Sequence, residues 1–134
     1  MTAKEELRQI KMLDERIENN TEELARLKSM ATKVTSVMSG ESVSRTRNTD
    51  TMTDVVAKII SLQDKLNADI DKYVDLKESV LERLKRLDNS AYYGILYRRY
   101  FLYKTWEQIA CEMNYTYQWV CELHGRALQE FGKI

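Results

Sequence analysis

From Ile10 onward, apolar residues fall at alternating steps of three and four: Ile10, Leu13 and Ile17, then the polar Asn20, then Leu24, Leu27, Ala31 and Val34. That period lays one narrow apolar seam along a helix. A second seam of the same form runs Met52, Val55, Ile59, Leu62 and Leu66, then Asp69, then Tyr73, Leu76 and Val80, widened by Val56, Ile60, Ile70 and Leu84. Between the seams the polar run SGESVSRTRNTD, from Ser39 to Asp50, is rich in Ser and Thr and holds Gly40, the only glycine of the first ninety residues. It predicts a mobile loop over 38–51. A loop of that length returns the chain, so residues 1–88 are expected to form an antiparallel coiled-coil hairpin. Its arms of about 35 residues would be roughly 50 Å long.

Asn20 and Asp69 interrupt the two seams at similar distances from the loop. Either they point past the seam to solvent, or they form a buried polar pair that fixes register at a cost in stability. The hairpin itself buries little: a fully covered Leu or Ile contributes about 1.5–3 kcal/mol, while ordering each residue costs about 1–2 kcal/mol of backbone entropy. The widened stripe of the second arm therefore calls for another surface. Self-association into a four-helix, homo-oligomeric arrangement supplies one.

The pattern changes after Leu87. Asp88, Asn89 and Ser90 are cap-forming types and mark a helix boundary, so a second domain is expected over 89–134. Three helices fit it: about Ala91 to Phe101, Trp106 to Met113, and Tyr117 to about Phe131. Thr105 and Thr116 stand at the two N-cap positions, and MNYT between the last two helices is too short for anything but a tight angular turn. Ile95, Leu96, Tyr100, Trp106, Ile109, Ala110, Met113, Val120, Leu123, Ala127 and Leu128 take the inward positions. The fold class expected is all-α: a long antiparallel hairpin followed by a three-helix helix-turn-helix domain, the architecture of major-groove readers.

Composition supports that division. Of the twelve aromatic residues, all except Tyr73 lie between Tyr92 and Phe131, so the last third carries the material for a compact core. Proline is absent, which leaves long helices uninterrupted. Charge is balanced at 21 basic against 21 acidic residues, so no overall field draws the chain to nucleic acid or membrane. No apolar run approaches the roughly 20 residues that span a bilayer, and the charged N-terminus is unlike a secretory signal. A cytoplasmic location is expected, with Cys111 and Cys121 as free thiols.

The stretch TWEQIACEMNYTYQWVCELHGRAL, Thr105 to Leu128, resembles the helix-turn-helix in region four of bacterial sigma factors. Thr105, Glu107, Ile109, Ala110, Met113, Tyr115, Thr116, Val120, Leu123, Arg126, Ala127 and Leu128 fit the pattern without a gap. The whole chain is similar to small sigma-region-four-like, autolysin-regulator-type transcriptional regulators encoded by phages and prophages of Gram-positive bacteria. The resemblance implies a DNA-binding regulator of late phage genes. In sigma factors the reading helix opens with an Arg-Glu-Arg type of run and carries another arginine two places later; here those positions are Tyr117, Gln118, Trp119 and Cys121.

On the third helix, Gln118, Cys121, Glu122 and Gly125 point outward, flanked by Tyr117 and Trp119. Gln pairs bidentately with adenine, Glu accepts from cytosine N4, and aromatics or a thiol touch a thymine methyl. Tyr117, Gln118, Trp119, Cys121 and Glu122 are therefore the candidate base contacts. Arg98, Arg99, Lys104, Thr105, Thr116 and Arg126 are the candidate phosphate contacts on double-stranded DNA. The other reading is an adaptor that binds host RNA polymerase or another phage protein without specific base contacts. Cys111, Cys121 and His124 supply at most three of the four ligands a structural zinc usually takes, so no metal or other cofactor is expected. Neither a nucleophile nor an orienting carboxylate stands beside His124 in the pattern, and no Gly-rich phosphate loop occurs; no enzyme is expected.

Overall fold

The computed structural model describes residues 1–40 and 45–134, and side chains over 1–36 and 51–134. Among the described residues it is all-helical, with α1 Ala3–Gly40, α2 Arg45–Leu84, α3 Ser90–Tyr100, α4 Trp106–Met113 and α5 Tyr117–Gly132. The loop expected over 38–51 is mostly helix: α1 continues through Gly40 and α2 already includes 45–51, while 41–44 lie outside the described residues. Polarity suggested a loop, but RTRNTD contains neither proline nor glycine, and nothing in it terminates a helix.

Compactness divides the chain into Met1–Asp14 with Lys72–Ile134, and Glu15–Asp71. The boundary expected at 88 falls between α2 and α3, within the first of these units.

In the unit Glu15–Asp71, stretches of α1 and α2 meet with opposite chain directions: Arg16 bonds Asp69, and Thr35 Oγ1 lies 4.0 Å from Met52 Sδ. The seam is thinly covered. Leu27, Val55 and Leu66 are buried, but Ile17, Leu24, Ile59 and Leu62 are only half-buried. Asp69 is buried, at 8 % exposure. Its partner is Arg16, whose Nε and Nη2 each donate at 3.0 Å to the two carboxylate oxygens. Of the two expectations for the polar interruptions, neither holds for Asp69: it is buried, but paired with a cation from outside the seam. Asn20 is half-buried. Val56, Ile60 and Ile70 are exposed on α2.

In the other unit, the first turns of α1 and the last turns of α2 pack with α3 and α5. Leu7, Ile10, Val80, Leu84, Leu96, Tyr100, Phe101, Ala127 and Phe131 form one buried cluster. Leu84, expected on an uncovered stripe, is fully buried there. Arg83 closes the rim. Its Nη1 donates to Glu6 Oε1 at 2.6 Å, and its guanidinium carbon lies 4.1 Å from the centre of the Phe131 ring. A second cluster, Ile95, Ile109, Ala110, Val120 and Leu123, joins α3, α4 and α5, with Trp106, Met113 and Tyr115 half-buried against it.

Candidate nucleic-acid interface

Each short helix starts at a side-chain cap. Asn89 Oδ1 accepts from the Ala91 and Tyr92 amides at 2.9 and 3.3 Å. Thr105 Oγ1 accepts from the Gln108 amide at 3.2 Å while Gln108 Oε1 accepts from the Thr105 amide at 3.0 Å, so the two satisfy each other's free donors. Thr116 Oγ1 accepts from the Trp119 amide at 3.1 Å. The bounds of α4, and the first residue of α5, are those the threonines predict.

The turn between them rests on Asn114. Its φ of 58° and ψ of 40° place it in the left-handed region, where the short polar side chain of Asn is tolerated better than most. From there the Tyr115 amide turns back to donate to the Ala110 carbonyl at 3.0 Å. Tyr115 is half-buried against Ile109 and Val120, which anchors the turn to the core below it.

On α5, Val120, Leu123, His124, Ala127 and Phe131 are buried, and Tyr117, Gln118, Trp119, Cys121, Glu122 and Gly125 are exposed. All five candidate base contacts therefore lie on the solvent side of one helix. The face is apolar at its start, with Tyr117 50 % and Trp119 37 % exposed. The Cys121 thiol, one helical turn on, holds the Tyr117 phenol above its usual range. An added Cβ at Gly125 meets nothing within 4 Å, so the outer surface of α5 is open at that point.

The candidate phosphate contacts are already engaged. Arg98 donates from Nε to Glu112 Oε2 at 3.1 Å and from Nη1 to the Gly94 carbonyl at 3.2 Å. Lys104 Nζ donates to the other oxygen of Glu112. Arg99 donates to the Lys104 carbonyl at 2.9 Å and its guanidinium covers the Trp106 ring at 4.3 Å. Arg126 donates to Glu122 Oε1 at 2.7 Å and lies 5.4 Å from the Trp119 ring centre. A candidate base contact, Glu122, is thereby tied to a candidate phosphate contact. The oxygens of Thr105 and Thr116 are in use as caps, although each hydroxyl keeps a proton to donate.

Beneath this surface His124 fills the junction of the three helices. Its Nε2 lies 2.7 Å from the Tyr100 hydroxyl, and Trp106 packs edge-on at 4.5 Å between ring centres. Burial, aided by the positive charges of Lys4, Arg99 and Arg8, lowers its pKa to about 4, so the imidazole is neutral at pH 7. Cys111 and Cys121 are free and exposed, and among the described residues no three metal-ligating side chains converge.

Sequence reasoning placed the caps and both faces of α5 and missed the carboxylates of Glu112 and Glu122 as partners of the basic residues. The Glu122–Arg126 spacing of four on one helix was a readable signal. Glu112 meets Arg98 from another helix, and no local spacing announces that.

Compared with known proteins, the chain matches no family model, no curated protein and no solved structure.

Proposed function

We propose that this chain is a DNA-binding transcriptional regulator of the phage type, acting on late phage genes from within the bacterial host cell. In this reading α4, the Asn114 turn and α5 form a sigma-like helix-turn-helix supported by α3, and the antiparallel hairpin of α1 and α2 is an association arm. The observation that carries it is the α4–turn–α5 unit. Both helices are capped by threonine, the turn is left-handed at Asn114, and Gln118, Cys121 and Glu122 stand exposed above a fully packed opposite face. A helix held so firmly from one side, with amide, thiol and carboxylate groups on the other, has the construction of a reading helix.

Affinity for one module would be modest, because each basic side chain must exchange a protein partner for a phosphate. Two modules on one assembly compensate by raising the effective concentration of the second. Val56, Ile60 and Ile70, exposed on α2, supply apolar surface for such association between copies.

The second reading, an adaptor on host RNA polymerase or another phage protein, draws on the exposed Tyr117 and Trp119 together with the engaged cations. Aromatic residues of that kind are favoured anchors in protein interfaces. Binding of the full chain to a phage late-promoter duplex and to a scrambled duplex, followed by fluorescence anisotropy across a salt series, separates the two. Selective binding that loses selectivity in Gln118→Ala, and weakens on both duplexes in Arg126→Ala, supports the regulator. Absence of selective binding even at low salt, with polymerase co-purifying, sinks it in favour of the adaptor.

A further inference from the structure

Glu112 is the one carboxylate in the short-helix region that holds two of the candidate phosphate-binding cations at once. Its Oε2 takes Arg98 Nε at 3.1 Å and its Oε1 takes Lys104 Nζ. The two cations come from different elements, Arg98 from the last turn of α3 and Lys104 from the connection to α4. Arg98 is steadied further by the Gly94 carbonyl, and a Cβ at Gly94 would come within 2.8 Å of Arg98 Nη1, so the absence of a side chain there makes room for the guanidinium.

The position of Glu112 is costly for its own helix. It is the penultimate residue of α4, and a negative charge in the last turn opposes the helix dipole. The two cations offset that cost and hold its carboxyl below the ordinary carboxylate range, Lys104 first. All three side chains remain about a third exposed, at 33 %, 30 % and 37 % for Arg98, Lys104 and Glu112. The cluster is therefore reachable from solvent, and water weakens its ion pairs enough for exchange. A carboxylate bridging an arginine and a lysine through its two oxygens has the charge sign and fork geometry of a phosphodiester bridging the same pair.

We propose that Glu112 is a built-in competitor for the DNA backbone: it occupies the place of one phosphate between Arg98 and Lys104, and must be displaced when the protein binds a duplex. The inference rests on the DNA-binding reading and adds its regulation. A non-specific duplex gains two phosphate-directed cations only by expelling Glu112. A cognate duplex gains the contacts of the α5 face as well, and that surplus drives the exchange. Glu112 thus lowers affinity for all DNA by the cost of its displacement, a cost that cognate and non-specific duplexes bear alike, so that only a duplex with the additional α5 contacts binds appreciably.

The test compares Glu112→Gln with Glu107→Gln in the full chain. Both remove one negative charge from α4, but Glu107 makes no ion pair with either cation. The probes are a late-promoter duplex and a scrambled duplex of equal length, titrated from low to physiological salt. For Glu112→Gln we expect affinity for both duplexes to rise together by about tenfold or more and the salt slope to steepen by about one to two phosphate contacts. Glu107→Gln should shift affinity by less than about threefold. If the wild-type chain binds selectively and the two variants behave alike, the competitor role is overturned while the DNA reading stands. If neither the wild type nor Glu112→Gln binds any duplex at low salt, both fall together.

Discussion

The Tyr100 hydroxyl and His124 Nε2 lie 2.7 Å apart in the interior of the short-helix unit and join α3 to α5 by a single buried hydrogen bond. The imidazole that makes it is neutral, because burial and nearby positive charge resist its protonation. With its pKa lowered to about 4 in the folded chain and near 6.5 when unfolded, His124 binds its proton first in the unfolded state. Its contribution to stability is complete above about pH 6.5 and is lost as pH falls toward 4, amounting to about 3 kcal/mol at the lower end. Urea midpoints measured between pH 7 and 4.5 should fall accordingly. In His124→Gln the same titration should be flatter, whatever the variant's stability at pH 7; an unchanged slope would refute the assignment.

The Arg16–Asp69 pair should respond unequally to removal of either member. The Asp69 side chain is 12 % exposed and that of Arg16 is 56 % exposed. Without Asp69, Arg16 can turn to water; without Arg16, a carboxylate is left covered and uncompensated. Asp69→Leu, which restores an apolar seam, should change stability by less than about 1 kcal/mol, whereas Arg16→Met should cost about 1–3 kcal/mol. Thermal melts of the two variants would contradict this if Asp69→Leu were the more damaging.

Leu7 and Ile10 are fully buried among residues of α2, α3 and α5. Truncating either to Ala should cost about 2–5 kcal/mol and should loosen α3–α5, although these helices lie some eighty residues further along the chain. Hydrogen exchange on the Ile95 and Val120 amides is the measurement. A fragment covering only 89–134 should lack cooperative unfolding, since it leaves Leu96, Tyr100 and Phe131 without the surface that covers them. Folding of that fragment at full stability would contradict the division of the chain given above.

The turn before α5 gives a local test. Asn114→Gly keeps the left-handed conformation without strain and should be within about 0.5 kcal/mol of wild type, while Asn114→Val should cost about 1–2 kcal/mol. Thr116→Ala removes the acceptor for the Trp119 amide and should cost about 1 kcal/mol. Chemical denaturation of the three variants ranks them; the order Gly, Ala, Val from mildest to most severe is expected.

What could be read in advance was local. Thr105, Thr116 and the inward rows of α4 and α5 announce themselves through spacing within a dozen residues, so the caps and helix bounds agree with expectation to within a residue or two. The ends of α1 and α2 are not legible in the sequence, because polarity without a helix breaker looks like a loop and is equally the surface of an exposed helix. Leu7 precedes the first regular step of the seam, and most of the buried cluster it joins, from Val80 to Phe131, is distant in sequence. The partner of Asp69 was missed for a related reason. A seam identifies the positions that face inward, but a long arginine reaches in from beside it, and periodicity carries no record of side-chain reach. Glu112 takes its cations from α3 and from the connection that follows it, and no spacing within α4 records that pairing.

The two tryptophans divide the labour of reporting on these events. Trp106 lies half-covered by Arg99 on one side and edge-on to His124 on the other, while Trp119 projects from the outer face of α5. Trp119 emission is therefore open to iodide or acrylamide and should be shielded when that face is occupied by duplex or protein. Trp106 emission senses the protonation of the neighbouring imidazole and the integrity of the three-helix junction. Replacing one tryptophan at a time with phenylalanine turns the unlabelled chain into its own binding sensor or its own folding sensor.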